Sequence, residues 1–144
     1  MKSLCLILLI VICLALSACA QTGGITDNVE VTIGASDRFR NAEIESAVDR
    51  VIRKFAAEFA GCELLQLWYD EDQSNLAIDS YIQGGRGSIN GVERGNVIVL
   101  HSNFSVDASG GDGSFSPNET YYNWSWILIR DSANGIWRID DWGY

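Results

Sequence analysis

The sequence predicts an α+β domain, with a long amphipathic helix packed on a curved antiparallel sheet, behind an N-terminal export leader. Three observations lead there. Residues 41 to 61, NAEIESAVDRVIRKFAAEFAG, carry apolar side chains at helical spacing. The last third of the chain holds three runs rich in aromatic and β-branched residues that alternate with polar ones. The first 18 residues carry one charge, Lys2, and lead into a cysteine. A helix followed by a succession of strands places the helix across one face of the sheet.

Taken in chain order, the leader comes first. LCLILLIVICLAL, residues 4 to 16, has no charge. It is shorter than the about 20 residues of a membrane span and has the roughly 7 to 15 residues of a signal-peptide core. Leu16-Ser17-Ala18-Cys19 resembles the bacterial lipobox. That resemblance implies cleavage before Cys19, a covalent lipid (palmitate-type acyl chains) on its sulfur, and a place on the outer side of the cell membrane. The alternatives are an ordinary secretory signal and an uncleaved anchor. The expected layout is residues 1–18 as signal peptide, 19–28 as flexible tether and 29–144 as a single α+β domain.

VEVTIG, residues 29 to 34, alternates Val29, Val31 and Ile33 and reads as a short edge strand. In the helix, Ile44, Val48, Val51, Ile52, Phe55 and Phe59 recur every three or four residues. Asn41 is the expected N-cap, and Gly61 stands where a helix commonly stops. CELLQLWYDE reads as a strand, with Leu64, Gln66 and Trp68 on one side and Leu65, Leu67 and Tyr69 on the other. Residues 70 to 83 suit a short helix through Leu76, Ile78, Tyr81 and Ile82. GGRGSINGVERG, residues 84 to 95, reads as a glycine-rich loop. NVIVLHSNFSVD, ETYYNWSWILIRD and GIWRIDDWGY complete a meander, and Asn134-Gly135 supplies the last hairpin turn.

GCELLQLWYDE, FSVDASGGDGSFSPNETYYNWSWILIRD and IWRIDDWGY together resemble a group of small uncharacterised bacterial lipoproteins with a nuclear-transport-factor-2-like (NTF2-like) domain. The resemblance spans residues 38 to 144. It implies a cone-shaped α+β fold, and it implies no reaction, because that fold hosts enzymes and non-catalytic binding modules alike.

Composition narrows the partners. The formal charge is −9, and beyond the leader Lys54 is the one lysine. So acidic a chain is unsuited to nucleic acid or to an anionic lipid face by broad electrostatics. Cys5 and Cys13 lie in the leader, Cys19 is the lipidation site, and Cys62 is left as a buried small residue without a disulfide partner.

Three chemistries compete for the function. A binding or interaction module at the cell envelope, for a small ligand or an envelope protein, would use the aromatic strands, with Tyr122, Trp124 and Trp126 as ligand contacts. A small acid-base enzyme would use His101, the sole histidine, in the cone cavity with Asp79, Asp140 or Asp141 beside it. A calcium-responsive surface module would use Asp107, Asp112, Asn118 and Glu119 in the 107–119 loop, although calcium takes about six to eight oxygens and the spacing is not that of an EF-hand. The binding module is the favoured reading, with no cofactor besides the lipid.

Overall fold

The apolar stripe of residues 41 to 61 needs a sheet to cover it, and the strands on both sides of it in the chain supply one. A computed structural model describes residues 23–144; the leader and Cys19 lie outside the described residues. Strand β1 (Glu30–Ile33) leads to helix α1 (Asn41–Glu58) and strand β2 (Cys62–Tyr69). Helix α2 (Glu71–Gly84), the single-turn helix α3 (Gly87–Asn90) and a 3-10 turn (Arg94–Asn96) follow. Strands β3 (Val97–Val106), β4 (Thr120–Ile129) and β5 (Arg138–Gly143) close the chain. The architecture is α+β, and the five strands form one sheet in the order β1-β2-β3-β4-β5.

The sheet is mixed rather than wholly antiparallel. β1 is the expected edge strand, but it runs parallel to β2, with Glu30 beside Gln66 and Thr32 beside Trp68. The reason is connectivity: α1 carries the chain back across the sheet, so β2 starts from the same end as β1. The other neighbours pair antiparallel.

α1 begins one residue earlier than the Asn41 cap would have it. Arg40 is the extended capping residue, and the Glu43 carboxylate accepts its backbone N–H at 2.9 Å. Ile44, Ala47, Val48, Val51 and Phe55 are its buried stripe. The helix stops near Phe59, and Gly61 turns the chain at φ +72°. A Cβ there would stand 2.6 Å from Ser109 Oγ and 3.0 Å from Asp107 Oδ1, so both the dihedral and the space call for glycine.

The two sheet faces carry separate cores. On the α1 face lie Leu64, Leu67, Ile98, Leu100, Phe104, Trp126 and Leu128 with Phe55 and Phe59 of the helix. On the other face, Ile78 and Tyr81 of α2 cover Val97, Val99 and Ile129. Burying each such side chain contributes about 1.5 to 3 kcal/mol. The expected stripe of α2 is rotated: Ser74, Ile78 and Tyr81 face inward and Leu76 is 72% exposed. Ser74 explains the choice. The β2–β3 pairing ends at Trp68 and His101, which leaves Val99 of β3, paired with Ile127 on its β4 side, without a neighbour on its β2 side, and the buried Ser74 hydroxyl accepts the Val99 N–H at 3.1 Å. The glycine-rich stretch expected as a loop contains α3 and the 3-10 turn.

Gly24 and Ile25, expected in the tether, are bonded to the domain. Gly24 N–H donates to the Phe55 carbonyl, Ile25 N–H to that of Cys62, and Leu64 N–H returns to Ile25.

Candidate functional site

Two register shifts shape the face opposite α1. On β2 the pairing slips between Leu64 and Gln66, so these two no longer share a face. Leu64 stays in the α1 core, while Gln66 and Trp68 stand on the α2 side opposite Asn103 and His101. On β4 the pairing slips between Tyr121 and Trp124, and Asn123 takes a left-handed backbone at φ 55°. Such bulges re-aim side chains at sheet margins.

His101 lies on this face beyond the covering helix and is 8% exposed. Its ring stacks on Trp68, with centroids 6.0 Å apart and planes 26° apart. Its Nδ1 is buried, with no hydrogen-bond partner among the described residues. Burial lowers its pKa below the usual histidine range, and the nearby Asp70 carboxylate opposes that shift. Of the carboxylates expected beside it, Asp79 pairs with Arg94 at 3.1 Å. Asp140 accepts from the Tyr81 hydroxyl at 2.6 Å and pairs with Arg86 at 3.2 Å. Asp141 accepts the Trp142 N–H. The carboxylate whose charge acts on His101, without a hydrogen bond to it, is instead Asp70, the N-cap of α2, whose Oδ1 takes the Gln73 N–H at 2.9 Å.

Beside this pair a groove of about 500 Å³ opens between β1 and the start of α2, with Trp68, Gln66, Gln73, Asn103, Asn123 and Thr32 along it. The amides are tied together. Asn103 Nδ2 donates to Gln66 Oε1 at 2.7 Å, Asn103 Oδ1 accepts the Asn123 N–H at 3.0 Å, and Gln66 Nε2 reaches Glu30 at 3.3 Å. Trp68 Nε1 donates to Gln73 Oε1 at 3.3 Å. Side chains that hold one another lose less freedom when a ligand arrives.

The aromatic candidates do not share a surface. Trp126 is fully buried, and its Nε1 donates to the equally buried Ser102 Oγ at 2.8 Å. Trp124 packs edge-on against Phe104 and Tyr144. The slip on β4 gives the core position to Tyr121, stacked on Phe104 at 5.1 Å, and leaves Tyr122 60% exposed.

In the 107–119 loop, Asp107 and Asp112 each close a local turn. Asp107 Oδ1 accepts the Ser109 N–H and hydroxyl, and Asp112 Oδ1 the Ser114 N–H and hydroxyl. Asn118 donates its backbone N–H to the Asp107 carbonyl, and Glu119 accepts from Val106 through its own. Among the described residues no three His, Cys, Asp or Glu side chains are placed to hold one metal ion. Asp107 and Asp112 also bound a cleft of about 330 Å³ with Cys62 at its wall. Burial first, and then these two carboxylates, push the Cys62 thiol up to about 11.

Two polar clusters have no counterpart in the sequence reading. Arg130, 6% exposed, meets Glu43 at 2.6 Å and lies over the Trp137 ring at 4.3 Å. Burial opposes the charge on Glu43, yet the hydrogen bonds from Arg130 and Arg40 outweigh it and hold the carboxyl at about 2. The second is Tyr81 with Asp140, Arg86 and Asn90; burial and then the Asp140 contact push the Tyr81 hydroxyl up to about 12. Both clusters join elements far apart in the chain, so local spacing carries no trace of them. The groove left one trace: Gln66 and Trp68 share a strand parity, as do His101 and Asn103, and pairing those two strands brings all four together.

No curated protein and no solved structure matches the chain significantly. One family model does, over residues 40–143, from α1 through β5. The chain belongs to that family, a domain of unknown function (DUF4829).

Proposed function

We propose that this chain is a lipid-anchored, extracytoplasmic binding module at the cell envelope, and that the groove over Trp68 is its binding surface. The lipid belongs on Cys19, and the domain is of the cone-shaped, NTF2-like kind. In support of the latter, α1 precedes four consecutive neighbouring strands, β2 to β5, and packs on one face of them.

The observation that carries the binding reading is the tied row of amides beside a half-buried indole in a groove of small-ligand size. The bulge on β4 holds Asn123 at a left-handed dihedral and places it along the same groove. His101, by contrast, is covered by Trp68 and has no acid or base in hydrogen-bond reach among the described residues.

A photo-crosslinking side chain tests the groove in living cells carrying the full chain. Placed at Thr32, which borders the groove, it should trap an envelope component. Placed at Arg53, exposed on α1, it should not. Identical adducts from both positions, or none from Thr32, would count against the groove as the binding surface.

A further inference from the structure

We infer that the groove over Trp68 takes a neutral sugar, with the indole as platform for the ring and the surrounding amides as its hydroxyl readers; the inference rests on the groove being the binding surface. Three independent features of the groove converge on that chemistry.

The first is the platform. His101 covers one face of the Trp68 indole, and on its other side the neighbouring residue in the sheet is the small Thr32 of the short edge strand. That side opens into the groove. The Nε1 edge is held by Gln73, so the ring is fixed. A sugar ring carries C–H bonds on one face and hydroxyls around its rim. The C–H face packs on an indole by dispersion, and the rim stays free for hydrogen bonds.

The second is the set of polar groups. Every sugar hydroxyl is donor and acceptor at once, and a planar amide offers one of each in fixed geometry. Gln66 and Asn103 hold each other in place. The Asn123 side-chain amide and Gln73 Nε2 have no partner among the described residues and line the same groove. These are free hydrogen-bonding groups that line the same groove as the indole.

The third is charge. Among the described residues, Glu30 and Asp70 are the charged ones along the groove, and no lysine or arginine lines it. A phosphate or carboxylate would be repelled there, whereas carboxylates are good acceptors for hydroxyls. The competing occupant is a cationic peptide, which the same two acids and the indole face would attract but for which the amide row offers less.

The test uses the full chain in a zwitterionic detergent free of sugar. Saturation-transfer NMR and calorimetry are run with the trimer of N-acetylglucosamine, with maltotriose and with trilysine. At least one neutral trisaccharide should bind. Asn123→Gly suits the left-handed backbone and deletes one amide, so it should keep the melting temperature and weaken sugar binding about three- to tenfold. Trp68→Leu should weaken it about tenfold or more. Binding of neither sugar, or binding unchanged in both variants, overturns the inference. Trilysine binding that the two variants weaken, without sugar binding, overturns the sugar but leaves the groove as the binding surface. Absence of both, together with no adduct from Thr32 in cells, removes the groove as well.

Discussion

Glu43, in the first turn of α1, and Arg130, one residue past β4, meet at 2.6 Å with both side chains largely buried. Arg130 also lies over Trp137, whose Nε1 donates to the Glu43 carbonyl at 3.0 Å. The pair therefore ties the helix start to the hairpin between β4 and β5. Removing one partner of a buried pair so that the other is left unmatched typically costs about 3 to 5 kcal/mol, but Glu43 keeps the exposed Arg40 at 3.1 Å. Arg130→Met is therefore expected to lower stability in urea unfolding by less than that, on the order of 1 to 3 kcal/mol.

The same pair sets an acid limit. The Glu43 carboxyl sits at about 2 in the fold against an ordinary 4.5. Its contribution is complete above the unfolded value and is lost as pH falls through the folded one. Unfolding free energy should drop between about pH 4.5 and 2, and Glu43→Gln should make that drop shallower while lowering stability at neutral pH. An unchanged acid limb in Glu43→Gln would show that the pair does not govern it.

His101 acts in a higher window. Its folded pKa is lowered from the usual 6.5 by burial, so below that value the unfolded chain takes up the proton more readily. Stability is thus lost as pH falls from about 6.5 towards the lower folded value. His101→Phe, which keeps a ring against Trp68, should flatten melting temperature against pH between about 7 and 5. A parent chain already flat across that range would contradict the shift.

Ser102 and Trp126 share a buried hydrogen bond at 2.8 Å, with neither side chain exposed. Ser102→Ala leaves the indole N–H without a partner, at a cost of about 1 to 3 kcal/mol. Trp126→Ala empties the centre of the aromatic core and should cost about 3 to 5 kcal/mol. Melting temperatures of the two variants should rank in that order.

The anchor has its own measurement. Labelling cells with a fatty-acid probe should mark the full chain and leave Cys19→Ala unmarked. A labelled Cys19→Ala chain would place the lipid elsewhere, and an unlabelled full chain would remove it.

What the sequence showed of this molecule follows from where its periods are unbroken. The stripe of α1 from Ile44 to Phe55 and the alternation of β3 run without interruption, and both faces came out as the spacing demands. The failures fall at irregularities. One extra residue at Leu65 turns Gln66 and Trp68 away from Leu64, and another at Asn123 separates Tyr122 from the tryptophans. A bulge leaves the composition of a strand unchanged while inverting every side chain beyond it. The direction of β1 and the inward turn of Ser74 were hidden for a different reason. The first follows from α1 carrying the chain back across the sheet, the second answers the backbone need of a distant strand, and nothing local announces either.

The bonding of Gly24 and Ile25 onto the domain fixes the length of its leash. With a lipid on Cys19, as proposed, Ala20, Gln21 and Thr22 are the only residues between the anchor and Gly23. Fully stretched, the chain from Cys19 to Gly23 reaches about 14 Å, roughly half the length of α1, whose 18 residues span about 27 Å. So anchored, the domain could not survey the depth of a cell wall. It would work in the thin layer just above the bilayer, and whatever it binds would have to come to that layer.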